Sequence, residues 1–451
     1  MAILSERLSL KNDFSPLLKL AIPLVLTGMM QSSMNFFENI FLARLGPHTL
    51  AAGALVAWLF ATLIVILFGI FSSINVLISH KHGENDVIGI SQVLRDGVAL
   101  ALVLTLPTFF LFWKISPLFL LLGQSPEIVE LATAYLHALA WGLLPQLLFI
   151  VLFEALLGLG HARTITIFTL LVIPFYIFFS YAFIFGKFGL PALGIAGAGW
   201  GMTVGNWIAT LFLIFYLSVN RHYSCYLSSL FRYTRPSYLW EILHLGIPMG
   251  AMYCIEVGFF FAMTLFMGLF GVHALAANQV TMQYLGPLMN TIFCVAQAIT
   301  IRMGHELGAN QFAPAKNAAV AGVILSGFLM SLIAIIYWTV PEALISVDFN
   351  VHAAKNVETV HLAKQFLFIA AFFQILEAMR IAFFGALRGL KDTRFTLLIS
   401  IISFWGIALP LGAFLAIHLN FGGEGFWWSM VLGAAFSVLL LYWRFTVKMR
   451  R

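Results

Sequence analysis

The sequence predicts an all-α polytopic membrane protein, with twelve transmembrane helices arranged as two parallel six-helix repeats. Two observations carry this prediction: a very apolar composition and a set of motifs that occurs twice. Of the 451 residues, 61% are hydrophobic and only 9% are charged, and the mean hydropathy is +0.98. A water-soluble domain of this length could not cover so much apolar surface with so few charges.

Apolar stretches of about 20 residues, the length that crosses a bilayer as an α-helix, recur along the chain. They are continuous rather than alternating, which favours helices over the strands of a membrane barrel. Twelve such stretches are centred near residues 28, 65, 104, 143, 174, 206, 255, 290, 329, 370, 405 and 435.

The internal repeat consists of four pairs of similar motifs that occur in the same order in both halves, for example L-K-L-A-I-P and L-H-L-G-I-P. The pairs begin at Leu18 and Leu243, Gly46 and Gly271, Phe153 and Phe384, and Gly194 and Gly422. Because the offset is nearly the same for all four pairs, we predict an N-lobe at 1–219, a linker at 220–238 and a C-lobe at 239–451. Since each half has an even number of helices, the repeats are parallel, an arrangement typical of transporters.

The distribution of basic residues predicts the topology. If the N-terminus is cytoplasmic, eighteen Lys and Arg residues fall on the inner side and five on the outer side. The positive-inside rule then predicts a multi-pass protein of a bacterial-type inner membrane with both termini cytoplasmic. The net charge of +6 follows from this bias and does not indicate nucleic-acid binding.

Ionisable residues inside the apolar segments are the strongest functional signal, because each costs about 2.5–3.5 kcal/mol at the bilayer centre. We predict that Glu38, Glu256 and Glu377 bind the ion that couples transport. Glu154, close to the predicted inner end of its helix, is interpreted as structural.

Glu256 has Met252, Tyr253 and Phe259 at helical spacing around it. A carboxylate on an aromatic and methionine-lined surface suits a lipophilic cation, through charge, cation–π attraction and apolar contact. The alternative interpretation is a core-facing or lipid-facing aromatic stripe around a glutamate with satisfied hydrogen bonds.

Glu377 lies one turn after Gln374 and three residues before Arg380, so all three side chains share roughly one helix face. Gln374 and Arg380 are therefore candidate supporting residues of an ion site. Burial and a neighbouring guanidinium act in opposite directions on the protonation of Glu377. A purely structural pair of Glu377 and Arg380 is the alternative.

In the first half, Glu38 is close in sequence to Asn35 and Asn39, and a carboxylate with amides could bind a proton or a sodium ion. Gln31 is the repeat counterpart of Glu256, so the two halves carry their acids at different depths. Gln31 and Asn35, together with Gln283 on the polar stripe of the eighth helix, are candidate substrate contacts. Such amides can equally hold helices together.

Enzyme chemistry is not indicated, because the chain has no P-loop, HExxH or G-x-S-x-G motif. The three cysteines lack metal or redox spacing. We therefore expect no enzyme activity, no metal and no cofactor other than a coupling ion, H⁺ or Na⁺, whose gradient would supply the energy.

Several motifs together resemble the MATE (multidrug and toxin extrusion) family over nearly the whole chain. They are L-x-I-P at the entry of the first helix, F-G-K-F-G-L-P from Phe185, L-G-I-P-x-G from Leu245, A-A-N-Q from Ala276 and G-A-L-R-G-L-K-D-T-R from Gly385. The acids of the second half are similar to those of the NorM-type branch, whose helix 7 and helix 10 acids match Glu256 and Glu377. The resemblance implies a V-shaped two-lobe fold that exports bulky organic cations in exchange for protons or sodium ions.

The chain departs from the MATE pattern in its first half. Glu38 replaces the usual aspartate, and Tyr176 and Ser180 stand where relatives often have asparagines or an acid. Thr203 and Asn206 on helix 6 are candidate replacements in a first-lobe ion site.

The sequence therefore supports an antiporter in the lipid bilayer whose substrates are cationic amphipathic small molecules, and we expect it to be a monomer. Glutamate in place of aspartate favours protons over sodium, since a buried glutamate can exchange a proton near neutral pH. The alternative is a flippase for lipid-linked sugars or polyprenyl phosphates. That function would favour cations inside the membrane, where the sequence offers Arg380.

Overall fold

The structure is a computed structural model that describes residues 2–227, 237–351 and 353–450, without the side chains of residues 2–13, Asn35 and Lys355. Within these ranges the chain is helical and contains no strand. Eleven helices are long and apolar enough to cross a membrane, or twelve when a bent pair counts as one span. The prediction of an all-α protein with twelve spans is confirmed.

The first six spans are named here α1 to α6. They are α1 (Ala2–Leu45), α2 (Pro47–Gly83, with a turn at Ser72), α3 (Val87–Lys114), α4 (Pro126–Ala140 and Leu143–Gly158), α5 (Ala162–Phe185) and α6 (Ile195–Val219). A short helix at Ser116–Leu121 precedes α4. After α6, Arg221–Ser224 and Cys225–Leu227 form short helical turns, and the remainder of the predicted linker up to residue 236 lies outside the described residues.

The second six spans are α7 to α12. They are α7 (Leu239–Leu269), α8 (Val272–Gly308), α9 (Phe312–Thr339), α10 (Val357–Gly389), α11 (Thr393–His418) and α12 (Gly422–Met449). Short helices at Pro341–Ile345 and Ala354–Asn356 lie between α9 and α10. Wider π-helical turns interrupt α11 at Ile401–Ala408 and Phe414–His418.

The backbone repeats at the same places as the motifs. Four residues with positive φ in the first half have a positive-φ partner in the second half, at the same offsets as the motif pairs. These pairs are Gly46 (121°) and Gly271 (101°), Asn85 and Asn310 (both 58°), Gly160 (81°) and Lys391 (57°), and Gly194 (56°) and Gly422 (52°). Since left-handed backbone is uncommon, its recurrence indicates that the helix connections of both halves are built alike.

The chain forms two compact units. The N-unit is Ile22–Gly246, and the C-unit combines Met1–Ala21 with Ile247–Arg451. These units differ from the predicted lobes in two places. The start of α1 belongs to the unit of the second half, and the start of α7 belongs to the unit of the first half. Leu17 and Ala21 belong to the same apolar core as Met252 of the C-unit, which explains why the start of α1 groups with the C-unit.

α10 is the central helix of the C-unit. In its most apolar window 72% of residues are buried, compared with 22–44% in the ten other unbent spans. Gly385 permits a close approach to α8, because a Cβ there would overlap the carbonyl of Ala296. The Thr300 hydroxyl of α8 donates to the Gly385 carbonyl at 2.7 Å. Side chains in the middle of α10 are therefore held inside the unit.

Candidate functional site

Three charged side chains of the C-unit meet in one buried cluster. Arg380 on α10 is fully buried, and Glu377, one turn earlier, is 3% exposed. Arg380 Nε donates to Glu377 Oε2 at 2.7 Å, and Nη2 donates to Glu377 Oε1. Arg380 Nη1 donates to Oε1 of Glu256 on α7 at 2.9 Å. The guanidinium thus bridges two acids that the sequence identified on separate helices.

An apolar shell surrounds this Glu256–Arg380–Glu377 cluster. The guanidinium carbon lies 4.4 Å from the ring centroid of Phe384 and 4.7 Å from that of Phe404. Phe259 packs against Phe404 with their centroids 4.8 Å apart. Ser400 adds one polar contact, since its Oγ lies 3.4 Å from Arg380 Nη1. Such rings stabilise a guanidinium by cation–π attraction while excluding water.

The charges of the cluster do not cancel. With both acids ionised, two carboxylates face one guanidinium, so one negative charge is unmatched. The charged groups that act on Arg380 and Glu377 are the other members of the cluster. An uncompensated charge at a buried site is costly, so the cluster is suited to take up one positive charge, as a proton or a cation.

The other predicted C-unit residues do not all join the cluster. Gln374 is fully buried, and its Nε2 is 3.4 Å from the Met330 carbonyl. Met252 and Phe259 lie in apolar cores rather than on an accessible surface. The Tyr253 hydroxyl accepts a 3.3 Å bond from Arg388. Gln283 is exposed and contacts Asp348 instead.

In the N-unit, Glu38 is half-buried and accepts a hydrogen bond from the hydroxyl of Tyr135 on α4. Tyr135 itself is buried, close to the 54° bend of that helix. Gln31 and Asn39 are exposed, and the side chain of Asn35 lies outside the described residues. Glu38 is therefore paired with a neutral phenol rather than with a charged partner.

Helices α5 and α6 of the N-unit approach closely at two glycines. A Cβ at Gly201 would overlap the backbone of Ser180, and one at Gly205 would overlap the ring of Tyr176. The Tyr176 hydroxyl donates to Asn206. The Thr203 hydroxyl donates to the Ala138 carbonyl of α4 at 2.7 Å. Among the described side chains, the hydrogen-bond partner of Glu38 is Tyr135, rather than Tyr176, Ser180 or Thr203.

Sequence reasoning missed several residues of these sites. Phe384 lies four residues after Arg380, so helical spacing could have identified it. Tyr135, Ser400 and Phe404 lie on helices far away in the sequence and carry no local signal.

Comparison with known proteins agrees with this architecture. The MatE family model matches residues 23–182 and 248–414, two segments that begin at Pro23 and Pro248, the matching prolines of the first motif pair. The protein described as "Probable multidrug resistance protein NorM" from Pseudomonas aeruginosa is 32% identical over 97% of this chain and 90% of its own length. The "Multidrug resistance protein NorM" from Burkholderia vietnamiensis is 30% identical over 95% of this chain and 93% of its own length.

Solved structures share the fold. An outward-facing conformation of a multidrug resistance MATE family transporter superposes with a TM-score of 0.86 at 20% identity, covering 97% of both chains. A MOP superfamily transporter from Pyrococcus furiosus gives a TM-score of 0.86 at 19% identity, covering 97% of this chain and 96% of its own. The chain belongs to the MatE family of multidrug efflux transporters and is similar to its NorM members.

Proposed function

We propose that this protein exports lipophilic organic cations by antiport, in exchange for H⁺ or Na⁺, and that the Glu256–Arg380–Glu377 cluster couples the two fluxes. The observation that carries this proposal is the single unmatched negative charge of the cluster, buried between membrane-spanning helices. The multidrug resistance names of the NorM relatives support the substrate class.

The coupling mechanism requires that the ion and the organic cation bind different conformations with different affinity. Either positive charge can neutralise the cluster, so each disfavours the other. No nucleotide-binding motif occurs in the chain, and an ion gradient is the remaining energy source. One charge that crosses the membrane supplies about 2.3 kcal/mol per 100 mV.

We infer that the helices bend at Pro23 and Pro248 when the protein changes between these conformations. Both prolines lie inside helices, in α1 and α7, within two residues of the boundaries between the N-unit and the C-unit. Proline removes a backbone hydrogen bond and bends a helix at that point. We further expect an inner-membrane protein with both termini cytoplasmic and a monomeric state.

A lipid-linked sugar flippase is not favoured. Arg380, the cation that such a function could use, already holds two carboxylates and is not available to a phosphate group. The NorM relatives are named for drug resistance rather than for lipid transfer.

The test is accumulation of ethidium in cells that lack their own efflux pumps. The intact protein is compared with Glu256→Gln and Glu377→Gln, and with Glu342→Gln as a control for an exposed glutamate in an ion pair with Lys364. We expect low accumulation with the intact protein and with Glu342→Gln, and accumulation like that of empty cells with the two cluster variants.

If both Glu256→Gln and Glu377→Gln still export ethidium, the cluster of the C-unit does not couple the two fluxes. Accumulation equal to that of empty cells with the intact protein would refute export of organic cations.

A further inference from the structure

We propose that Arg380 makes the C-unit site specific for the proton, because its guanidinium occupies the place that a sodium ion would need. This inference rests on the proposed antiport and adds the identity of the coupling ion.

The first argument is a count of carboxylate oxygens. The cluster has four such oxygens, and three of them accept hydrogen bonds from Arg380: both oxygens of Glu377 and Oε1 of Glu256. The fourth oxygen, Oε2 of Glu256, has no hydrogen bond to a described residue. Hard metal cations require several oxygen ligands at once, whereas a proton requires one.

The second argument is the composition of the shell. Apart from the acids, the guanidinium faces the rings of Phe384 and Phe404. Ser400 Oγ is the additional oxygen, and it already faces Nη1. A sodium ion beside Glu256 would therefore find few ligands and would be repelled by the adjacent guanidinium.

The position of the proton follows from the same geometry. Glu377 is held at both oxygens, whereas Glu256 is held at one and is 7% exposed. Protonation of the Glu256 carboxylate to the acid brings the cluster from one net negative charge to neutrality, with Glu377 and Arg380 remaining as an ion pair. On this geometry we assign the exchanged proton to Glu256, while Arg380 stays paired with Glu377.

Around Glu256 and its neighbours on α7, the structure places mostly neutral groups and one further arginine, Arg388. On α11, Ser400 lies in the cluster and Trp405 Nε1 donates to the Ile255 carbonyl at 3.1 Å. On α8, Phe293 packs against Tyr253, one turn before Glu256. Arg388, further along α10, interacts with the ring and hydroxyl of Tyr253.

The decisive experiment uses the purified protein in proteoliposomes and measures tetraphenylphosphonium transport under a pH gradient or a sodium gradient at fixed pH. We expect the intact protein to respond to the pH gradient alone. In Arg380→Gln the guanidinium is absent and both acids are free for a metal. We therefore expect sodium-driven transport to rise about tenfold or more, equivalent to about 1.4 kcal/mol of ion binding. Arg444→Gln, which removes an arginine bonded to Asp392, is the matched control and should behave like the intact protein.

The outcomes separate the two proposals. Transport by the intact protein that follows the sodium gradient would overturn proton specificity and leave antiport standing. No transport under either gradient would refute the antiport itself. A folded Arg380→Gln variant that ignores sodium would show that Arg380 does not exclude the ion.

A measurement on the intact protein avoids reliance on a variant that could fail to fold. Addition of tetraphenylphosphonium to the detergent-solubilised protein in weak buffer should release protons, with the same amount released in sodium chloride as in potassium chloride. Two results in sodium chloride would together contradict the inference: tetraphenylphosphonium no longer releases protons, and sodium displaces bound tetraphenylphosphonium.

Discussion

The two units of this protein use one backbone plan for different electrostatics. In the C-unit, Glu256, Glu377 and Arg380 form a cluster of three charges. When the two halves are aligned by their motif pairs, the N-unit has neutral residues at the corresponding positions, namely Gln31, Gln146 and Phe149.

Two acids within the N-unit spans accept hydrogen bonds from neutral side chains. Glu38 is bonded to Tyr135, and Glu154 accepts a 2.5 Å bond from Asn75. The repeat thus fixes where helices turn, whereas individual side chains decide that the C-unit carries the Glu256–Arg380–Glu377 cluster. We therefore expect substitutions in the C-unit to affect stability and coupling far more than those in the N-unit.

The largest effect is expected for Arg380→Gln at neutral pH. Removal of one partner from a buried ionic network typically costs about 3–5 kcal/mol, because the remaining charges are left unmatched. Here two carboxylates would face each other in an apolar shell. We expect the melting temperature of the detergent-solubilised protein to fall strongly, and to recover partly as the pH is lowered and the carboxylates become protonated. A loss that is the same at all pH values would show that packing, and not charge, is responsible.

A smaller difference is expected between the two acids. Glutamine keeps one acceptor oxygen, so Glu377→Gln loses one of the two hydrogen bonds of a bidentate pair, whereas Glu256→Gln can still accept its single bond from Nη1 of Arg380. A hydrogen bond to a charged group contributes about 1.5–3 kcal/mol, so Glu377→Gln should be the less stable variant by about that amount. Thermal unfolding of both proteins in one detergent measures this. Equal stability would mean that Arg380 holds the two carboxylates equally.

Much of this organisation was predictable from the sequence, because it depends on local patterns. Apolar runs identified all twelve spans, and the spacing of Glu377 and Arg380 placed them on one helix face, where they are paired. The contact with Glu256 depends on how α7 packs against α10, which no local pattern encodes. Met252 and Phe259, predicted around a ligand, are buried instead, because helical spacing does not distinguish a core-facing stripe from a cavity-facing one.

In the N-unit, the sharpest test of the comparison is Tyr135→Phe. The variant loses the hydrogen bond to Glu38, which is half-buried and can be solvated in its place. We expect a cost of about 1.5 kcal/mol, the lower end for a bond to a charged group, and an unchanged ratio of proton-driven to sodium-driven transport. Tyr181→Phe is the control, since Tyr181 packs against Phe41 and Phe185. If Tyr135→Phe loses ion-driven transport as completely as Glu256→Gln does, the ion site lies in the N-unit.

The smallest effect on stability is expected at two equivalent helix starts, one in each unit. Asp86 precedes α3, and its carboxylate accepts a 2.8 Å bond from the Gly89 N–H, whereas its counterpart Gln311 precedes α9 without a side-chain cap. Asp86→Ala should therefore cost about 1 kcal/mol, and Gln311→Ala should cost less.

The cost of Asp86→Ala should also depend on pH. The Gly89 N–H, and then Lys81, hold the pKa of Asp86 below its ordinary value of 3.8, although partial burial opposes them. A group whose pKa is lowered in the folded state stabilises the protein above its ordinary pKa, and loses this contribution as the pH falls through the folded value. Melting temperatures of the intact and Asp86→Ala proteins should therefore differ at neutral pH and converge in strong acid. A difference that persists in acid would assign the effect to helix propensity at this position rather than to the ionised cap.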